Sequence, residues 1–486
     1  MPSENRPTKR ATSERAPSNG DIPRHKLSIV GIGPGSPALR TAAATNAIRS
    51  ADFVVGYRPY LDLIGDLLPG KQVLSSSMGK EVDRVAAAVD LLEQGSVALV
   101  SSGDPNVYGM AGLGLELAKK PSAVEIVPGV TSFTAASCRA GLAFRECVTV
   151  ISLSDLLTPW QQIEGRLRLA AETQMPVALY NPKSKRRDWQ LLRALDICGS
   201  RDVLVAKNIG REGEEIFFTS SEKLIEEESL RERINMTALV IILGRGTFRG
   251  KASQTAAVNL VGIGPGNPGN LTQEAQSILR ASEKIYGAER YLKLIGDVTS
   301  AQKVTHSGPC PERMAARLKE AVQVAGAGGK ASILTGGDPS IFSSGWRILD
   351  PTEGAAPVHI SPGVSAFSSV AARAGAPLVS DFALLSSAHD PACLSSLAGA
   401  GFAVVAYNVK GQEIAPLLEG VDPMRPVALA QDVTREGENI MILTAEDLLA
   451  AKPAGFRFTL LVASANSLIK DGRIITKRGY ESKYCY

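Results

Sequence analysis

LSIVGIGPGSP at residues 27–37 and VNLVGIGPGNP at 258–268 are one stretch of sequence written twice. Each is an apolar run that ends at glycines, the pattern of a buried strand running into a tight turn. The repetition continues in order along the chain. VGYRPYL (55–61) returns as YGAERYL (286–292), SSGDP (101–105) as TGGDP (335–339), and VPGVTSF (127–133) as SPGVSAF (361–367). LYNPK (179–183) returns as AYNVK (406–410), and GREGEEI (210–216) as TREGENI (434–440). The separation is 231 residues at the first landmark (31 to 262) and 224 at the last (210 to 434), as small insertions and deletions after a duplication would leave it. The first copy is expected over 27–250 and the second over 257–480. GRGTFRGKASQTA (244–256), rich in Gly, Ser and Thr, reads as a short linker.

Within a copy, short strands alternate with helices. In the first, strands are expected at LSIVGIG, ADFVVG, KQVLSS and SVALVSSGD, with helices over 41–51 and 83–95. That alternation predicts a parallel sheet. After the PGV turn, CVTVISLS, MPVALYNP, DVLVAKNIG and TALVIILG are further strands, so each copy is expected to be bilobed α/β with a cleft between its lobes.

The bulk properties narrow the function. The 486 residues carry 53 basic and 49 acidic side chains, and a formal charge of +4 does not supply the concentrated basic patch that nucleic acid needs. No apolar run reaches the ~18 residues of a membrane helix. The six cysteines and four histidines form no CxxC or other ligand spacing, so no metal is expected and the thiols fit a reduced, cytoplasmic setting. Residues 1–26, rich in Pro, Ser, Arg and Asn, read as a disordered tail rather than a secretory signal; Glu4, Glu14 and Asp21 weigh against an organelle transit peptide.

The motifs differ in what they carry. GIGPG (31–35) fails the dinucleotide fingerprint, which needs Gly where Ser36 stands, so a nicotinamide dehydrogenase is disfavoured. SSGDPNVYGMAGL (101–113) follows a strand and sets a carboxylate between Gly and Pro, at a strand end where α/β sheets bind ligands. An ordinary turn is the plainer reading. In VPGVTSF, Thr131 or Ser132 can cap a helix, and the free N–H groups beyond could hold a carboxylate. Lys183, Lys185, Arg186 and Arg187 read either as a solvated face or as a clamp for a substrate with several carboxylates; the second copy lacks the cluster.

Taken together, GIGPG, GYRPY (56–60), GDPNVYGMA (103–111), PGVT (128–131), SLSDLLTPW (152–160), YNPKSKRR (180–187) and GREGE (210–214) resemble the tetrapyrrole methylase family. SLSDLLTPW and YNPKSKRR point to the branch acting on C(17) of precorrin-3B or cobalt-factor III. The resemblance implies a tandem of bilobed tetrapyrrole-methylase folds and an S-adenosylmethionine-dependent C-methyltransferase of cobalamin biosynthesis that contracts the macrocycle as it methylates. It implies cofactor contacts at Pro34, Ser102, Gly103, Asp104, Val107, Thr131, Ser132, Asn181, Gly210, Thr237 and Ala238. The matching second-copy positions are Pro265, Gly337, Asp338, Ile341, Ser365, Ala366 and Asn408. In-line methyl transfer to an electron-rich carbon asks mainly for positioning and desolvation, so no indispensable base is expected. Asp104 is read as a shaper of the cofactor loop. Asp155 and the basic run Lys183–Arg187 are expected at the macrocycle, whose acid arms suit Arg and Lys donors.

The second copy ends in ITKRGY (475–480), as that branch does, yet SLSDLLTPW becomes SSAHDPACL (386–394) and Gly210 is matched by Thr434. It reads as methylase-like, of doubtful activity, and as partner to the first copy in an intrachain pseudo-dimer; a homodimer is the other arrangement. Cys147 stands where the second copy has Asp381, at a position expected to be acidic. Two other readings are open: a methylase of another tetrapyrrole such as uroporphyrinogen, and a tetrapyrrole- or cofactor-binding scaffold.

Overall fold

The computed structural model describes residues 25–184, 187–349, 357–386 and 391–480. Residues 1–24 of the tail, Lys185 and Arg186 of the basic run, and 387–390 of the diverged segment lie outside them.

The duplicated opening strand sits near the middle of a five-stranded sheet in each copy. In the first, the spatial order is Gln72–Ser76, Phe53–Tyr57, Val97–Ser101, Leu27–Gly31, Glu125–Val127. All neighbours are parallel, as the strand–helix alternation predicts. The second repeats it with Gln302–Val304, Lys284–Tyr286, Ala331–Thr335, Val258–Gly262 and His359–Ser361. The helix expected over 41–51 runs Ala42–Ser50, capped by Thr41, whose Oγ1 accepts from the Ala44 amide.

The second lobes are not separate. Their strands join in one ten-stranded sheet, with Cys147–Ser152 of the first copy lying antiparallel against Phe382–Ser386 of the second. The register pairs Val148 with Leu384 and Cys147 with Leu385. Side chains alternate across this sheet, as the two-residue period demands. Cys147, Ile151, Val203 and Val205 enter one core, while Val148, Val150, Leu204 and Ala206 enter the other. Both cores take residues from both copies. In the second core the helices Ser132–Arg139 and Ala366–Ala374 meet, with Phe133 and Phe367 stacked at 6.1 Å between ring centroids.

Two further contacts tie the copies together. The chain end crosses back: Ile475 and Tyr480 are buried in the core of the first copy's opening lobe, beside Leu27, Ile29 and Leu115. Asp471 Oδ2 accepts from the Ser122 amide, and Arg473 Nη2 donates to the Val124 carbonyl. The segment 244–256, expected as a linker, is built into the fold instead. Thr247–Arg249 forms a strand against Leu142–Phe144, and Phe248 packs on Trp346 at 4.5 Å. The Phe248–Trp346 contact and the strand pairing outweigh the loop-like composition around them.

Candidate active site

Three loops at the ends of the first copy's parallel strands are laced into one knot. The Gly33 and Gly103 amides each donate to the other's carbonyl, at 3.2 and 2.8 Å, so the GIGPG and GDP turns lie side by side. The Asp104 carboxylate turns inward and accepts from the Asn106 amide (2.8 Å) and the Gly129 amide (3.0 Å), which fastens the PGV turn to the same point. A Cβ on Gly129 would sit 2.2 Å from the Gly103 carbonyl oxygen, so only glycine allows this approach. Burial pushes the Asp104 carboxyl up to about 7, against the pull of its backbone donors. Asp104 is thus a buried pin between two turns and does not line the cleft.

From the second lobe, Arg211 Nε donates to the Pro34 carbonyl (2.7 Å) and Nη2 to Ser102 Oγ (2.9 Å). Gly210 packs on the Gly35–Ser36 backbone. The knot therefore spans both lobes. It gathers Pro34, Ser102, Gly103, Asp104, Thr131 and Gly210 in one place. Of the expected cofactor residues, Ser102 and Asn181 line the open cleft beside it. Thr131 caps its helix, and the amides of Phe133 and Thr134 are taken by Tyr180 Oη and Thr131 Oγ1. The free helix donors expected there for a carboxylate are thus already used. Val107 is in the core, Ser132 is half-buried away from the cleft lining, and Ala238 is buried. Thr237 is exposed and bonds Asn208 and Asn235.

The cleft is about 1050 Å³ and lies between the lobes of the first copy. Of the basic run expected at the macrocycle, Lys185 and Arg186 lie outside the described residues. Lys183 donates to the Arg231 carbonyl, and Arg187 to the Asn181 carbonyl. Asp155 accepts from Gln190, with Arg187 at 3.9 Å. None of the three lines the cleft. Among the described residues the lining cations are Arg84, Arg166, Lys477 and Arg478. Tyr57, Tyr60 and Tyr108 add aromatic faces, and Met78, Leu156 and Met236 stand exposed at the lining.

One wall comes from the second copy. The Asp381 carboxylate enters the first cleft and accepts three hydrogen bonds: from Arg166 Nη1 (2.7 Å), Tyr108 Oη (2.7 Å) and the Ser152 amide (2.9 Å). Arg166 is otherwise held by the Ala400 and Gly401 carbonyls. Tyr108 carries a φ of +52°, a strained value for a side chain of its size. Burial first, and the Asp381 charge second, hold its phenol well above the ordinary range, so it stays protonated. Sequence reading missed this set because its members come from four distant segments. The one signal was the unmatched pair Cys147 and Asp381. An acid was expected at position 147; the strand exchange delivers that acid from position 381 instead.

In the second copy the knot recurs. Gly264 and Gly337 exchange backbone bonds, Asp338 accepts from the Ser340 and Gly363 amides, and Arg435 reaches the Pro265 carbonyl. Ile341 is buried, Ser365 and Ala366 start the helix that packs across the two copies, and Asn408 has a φ of +57° like Asn181 at +51°. The wall does not recur. Phe342 stands for Tyr108, Cys393 for Arg166 and Cys147 for Asp381. Among the described residues no cluster of His, Cys, Asp or Glu could hold a metal, and no helix is long and apolar enough to cross a membrane.

The sequence pattern of the Tetrapyrrole (Corrin/Porphyrin) Methylases matches residues 26–225 and 257–449, and the chain belongs to that family. Among individual relatives, it is 44% identical over 200 residues to the cobalamin biosynthesis protein CbiHC of Archaeoglobus fulgidus, covering 40% of this chain and 45% of that one. It is 40% identical over 231 residues to a probable cobalt-factor III C(17)-methyltransferase of Salmonella typhimurium, covering 46% of this chain and 94% of that one. It is 40% identical over 202 residues to a precorrin-3B C(17)-methyltransferase of a Sinorhizobium species, covering 39% and 79%. The crystal structure of the methyltransferase CobJ covers 46% of this chain at 31% identity, with a TM-score of 0.41. The chain thus spans less than half the length of CbiHC.

Proposed function

We propose that the first copy, residues 27–250, is an S-adenosylmethionine-dependent C-methyltransferase of cobalamin biosynthesis. Its substrate is precorrin-3B or cobalt-factor III, methylated at C(17) with ring contraction. The observation that carries this reading is the first cleft itself: a deep, two-lobed space with aromatic faces and four lining cations, built on the glycine–aspartate knot. A flat macrocycle with carboxylate arms is the substrate such a lining suits.

The residues present fit the cofactor. Ser102 and Asn181 offer hydroxyl and amide groups at the cleft. Fully buried in the same loop, Asn106 leaves both atoms of its side-chain amide without a partner among the described residues. When bound, S-adenosylmethionine supplies an electrophilic methyl group on a sulfonium leaving group. The chain's own part is positional. Asp104 fixes the loop, Arg211 ties the lobes across it, and the Asp381–Arg166–Tyr108 wall sets the depth at which the macrocycle rests. Closure of the two lobes excludes water from the reacting carbon.

The second copy, residues 257–480, serves in this reading as the other half of the first cleft, the two forming a pseudo-dimer within one chain. The shared sheet and the crossing chain end support it. Calorimetric titration of the whole chain with S-adenosylhomocysteine, followed by methyl transfer assayed with precorrin-3B and with cobalt-factor III, tests the proposal. One tight site and product from one of the two substrates is the expected result. No transfer to either would overturn it.

A further inference from the structure

The four cations that line the first cleft are not equally free. Arg84 donates to Ser76 Oγ and to the Ser77 carbonyl, and Arg166 is spent on Asp381 and two carbonyls. Arg478 has no hydrogen-bond or ion-pair partner among the described residues. Its guanidinium lies between the rings of Tyr108 and Tyr480, 5.8 and 6.0 Å from their centroids. Lys477 beside it is exposed, and its ammonium is likewise unpaired among the described residues. A half-buried arginine stacked on aromatic rings keeps its edge donors available, and a planar guanidinium matches a carboxylate with two parallel hydrogen bonds.

The backbone around these two residues is anchored to both copies. Tyr480 is buried in the first copy's core, the Lys477 amide donates to the Asn466 carbonyl, and Asp471 and Arg473 bond the first lobe directly. The segment is thus held at the cleft by contacts that leave the Lys477 and Arg478 side chains unused.

We propose that Arg478, assisted by Lys477, is a subsite for a carboxylate arm of the substrate macrocycle, delivered to the first copy's cleft by the last strand of the second copy. The inference rests on the methyltransferase reading above and names the part of the site that recognises the acid arms.

The test uses the full chain loaded with S-adenosylhomocysteine. The probes are a porphyrin bearing free acetate and propionate arms and the methyl ester of the same porphyrin, with binding read by fluorescence quenching. The wild type should prefer the free acid. Arg478→Met should weaken acid binding roughly 10-fold or more, as losing a charge-assisted pair does, and leave ester binding unchanged. Arg478→Lys should recover part of it, and Lys477→Met should cost less. Affinity for S-adenosylhomocysteine should stay at the wild-type value in all three, which also reports an intact fold. Arg478→Met binding the acid as the wild type does would overturn the subsite while leaving the methyltransferase reading in place. A wild type that binds neither S-adenosylhomocysteine nor either porphyrin would overturn both.

Discussion

The two clefts of this chain share a scaffold and differ in a wall. Both keep the knot of two glycine turns and an inward aspartate, and both keep an arginine reaching from one lobe to the other. The first adds a buried Asp–Arg–Tyr network; the second has Cys147, Cys393 and Phe342 in its place. All three polar members are missing together. That is what physics requires, because a buried carboxylate without its arginine, or the reverse, is costly, whereas replacing the whole set by apolar side chains is tolerated. The knot shapes a loop and persists wherever the fold does. The wall lines the first cleft and is not repeated at the matching positions of the second copy.

A second difference lies where the lobes meet. Gly210 takes a φ of +71° without cost, but its counterpart Thr434 holds +65°, an outlier for a β-branched residue. Thr434 Oγ1 accepts from the Asn267 amide and so stitches the lobe to the GIGPG turn, where the first copy has open backbone.

The sharpest way to break the comparison is Asp381→Ala. The residue belongs to the second copy, yet methyl transfer by the first should be lost. Leaving Arg166 buried and unpaired should cost about 3–5 kcal/mol in chemical denaturation. Retained activity with wild-type stability would show the wall to be ornamental. Next, Cys147→Asp puts an acid into the buried seam position that matches Asp381, with Arg245 as the neighbouring cation and neither a tyrosine at 342 nor an arginine at 393 to complete the network. We expect a loss of roughly 1–3 kcal/mol and no gain of a second S-adenosylhomocysteine site; a second site would mean that the wall alone separates the copies. Gly210→Thr imports the second copy's clamp. A Cβ there would lie 3.0 Å from the Ser36 amide nitrogen, at an unfavourable φ. The strain should cost about 1–3 kcal/mol and weaken cofactor affinity, read by calorimetry; unchanged affinity would detach that loop from the cofactor.

The smallest effect is in pH. Burial raises the folded carboxyls of Asp104 to about 7 and of Asp338 to about 6, from 3.8. A raised carboxyl means that the folded chain holds a proton the unfolded chain has released. The contribution of these two groups to stability is therefore greatest below about pH 4, declines as pH rises, and levels off above about 7. Asp104→Ala should remove the portion of the decline between about 6 and 7, and Asp338→Ala should leave that portion in place. Unfolding midpoints measured across that range distinguish the two.

Much of the scaffold was legible in the sequence. Strands such as Val97–Ser101 and Ala238–Ile242 fall where apolar runs end at turn residues, and the parallel order follows from alternation with helices. The knot was legible too, because glycines and an aspartate at a strand end announce a tight turn. The wall was not. Arg166 lies on a helix that reads as amphipathic, and Asp381 stands 229 residues from the Ser152 amide it accepts from. No local pattern brings such groups together; the edge-to-edge joining of two sheets does. Of the basic run, the two described members, Lys183 and Arg187, bond the Arg231 and Asn181 carbonyls, because a side chain's partners depend on where its backbone is carried, which four charges in five residues do not reveal.

The antiparallel seam between Cys147–Ser152 and Phe382–Ser386 has a consequence for inheritance. Two identical subunits meeting at such a seam must carry every substitution twice, so an acid gained in one cavity appears in the other. A covalent pair is released from that constraint. Each side of the seam can be edited alone: one half specialised to grip an occupant, the other to brace it. The same linkage makes the partnership independent of dilution, since the second half is always present at the concentration its tether sets.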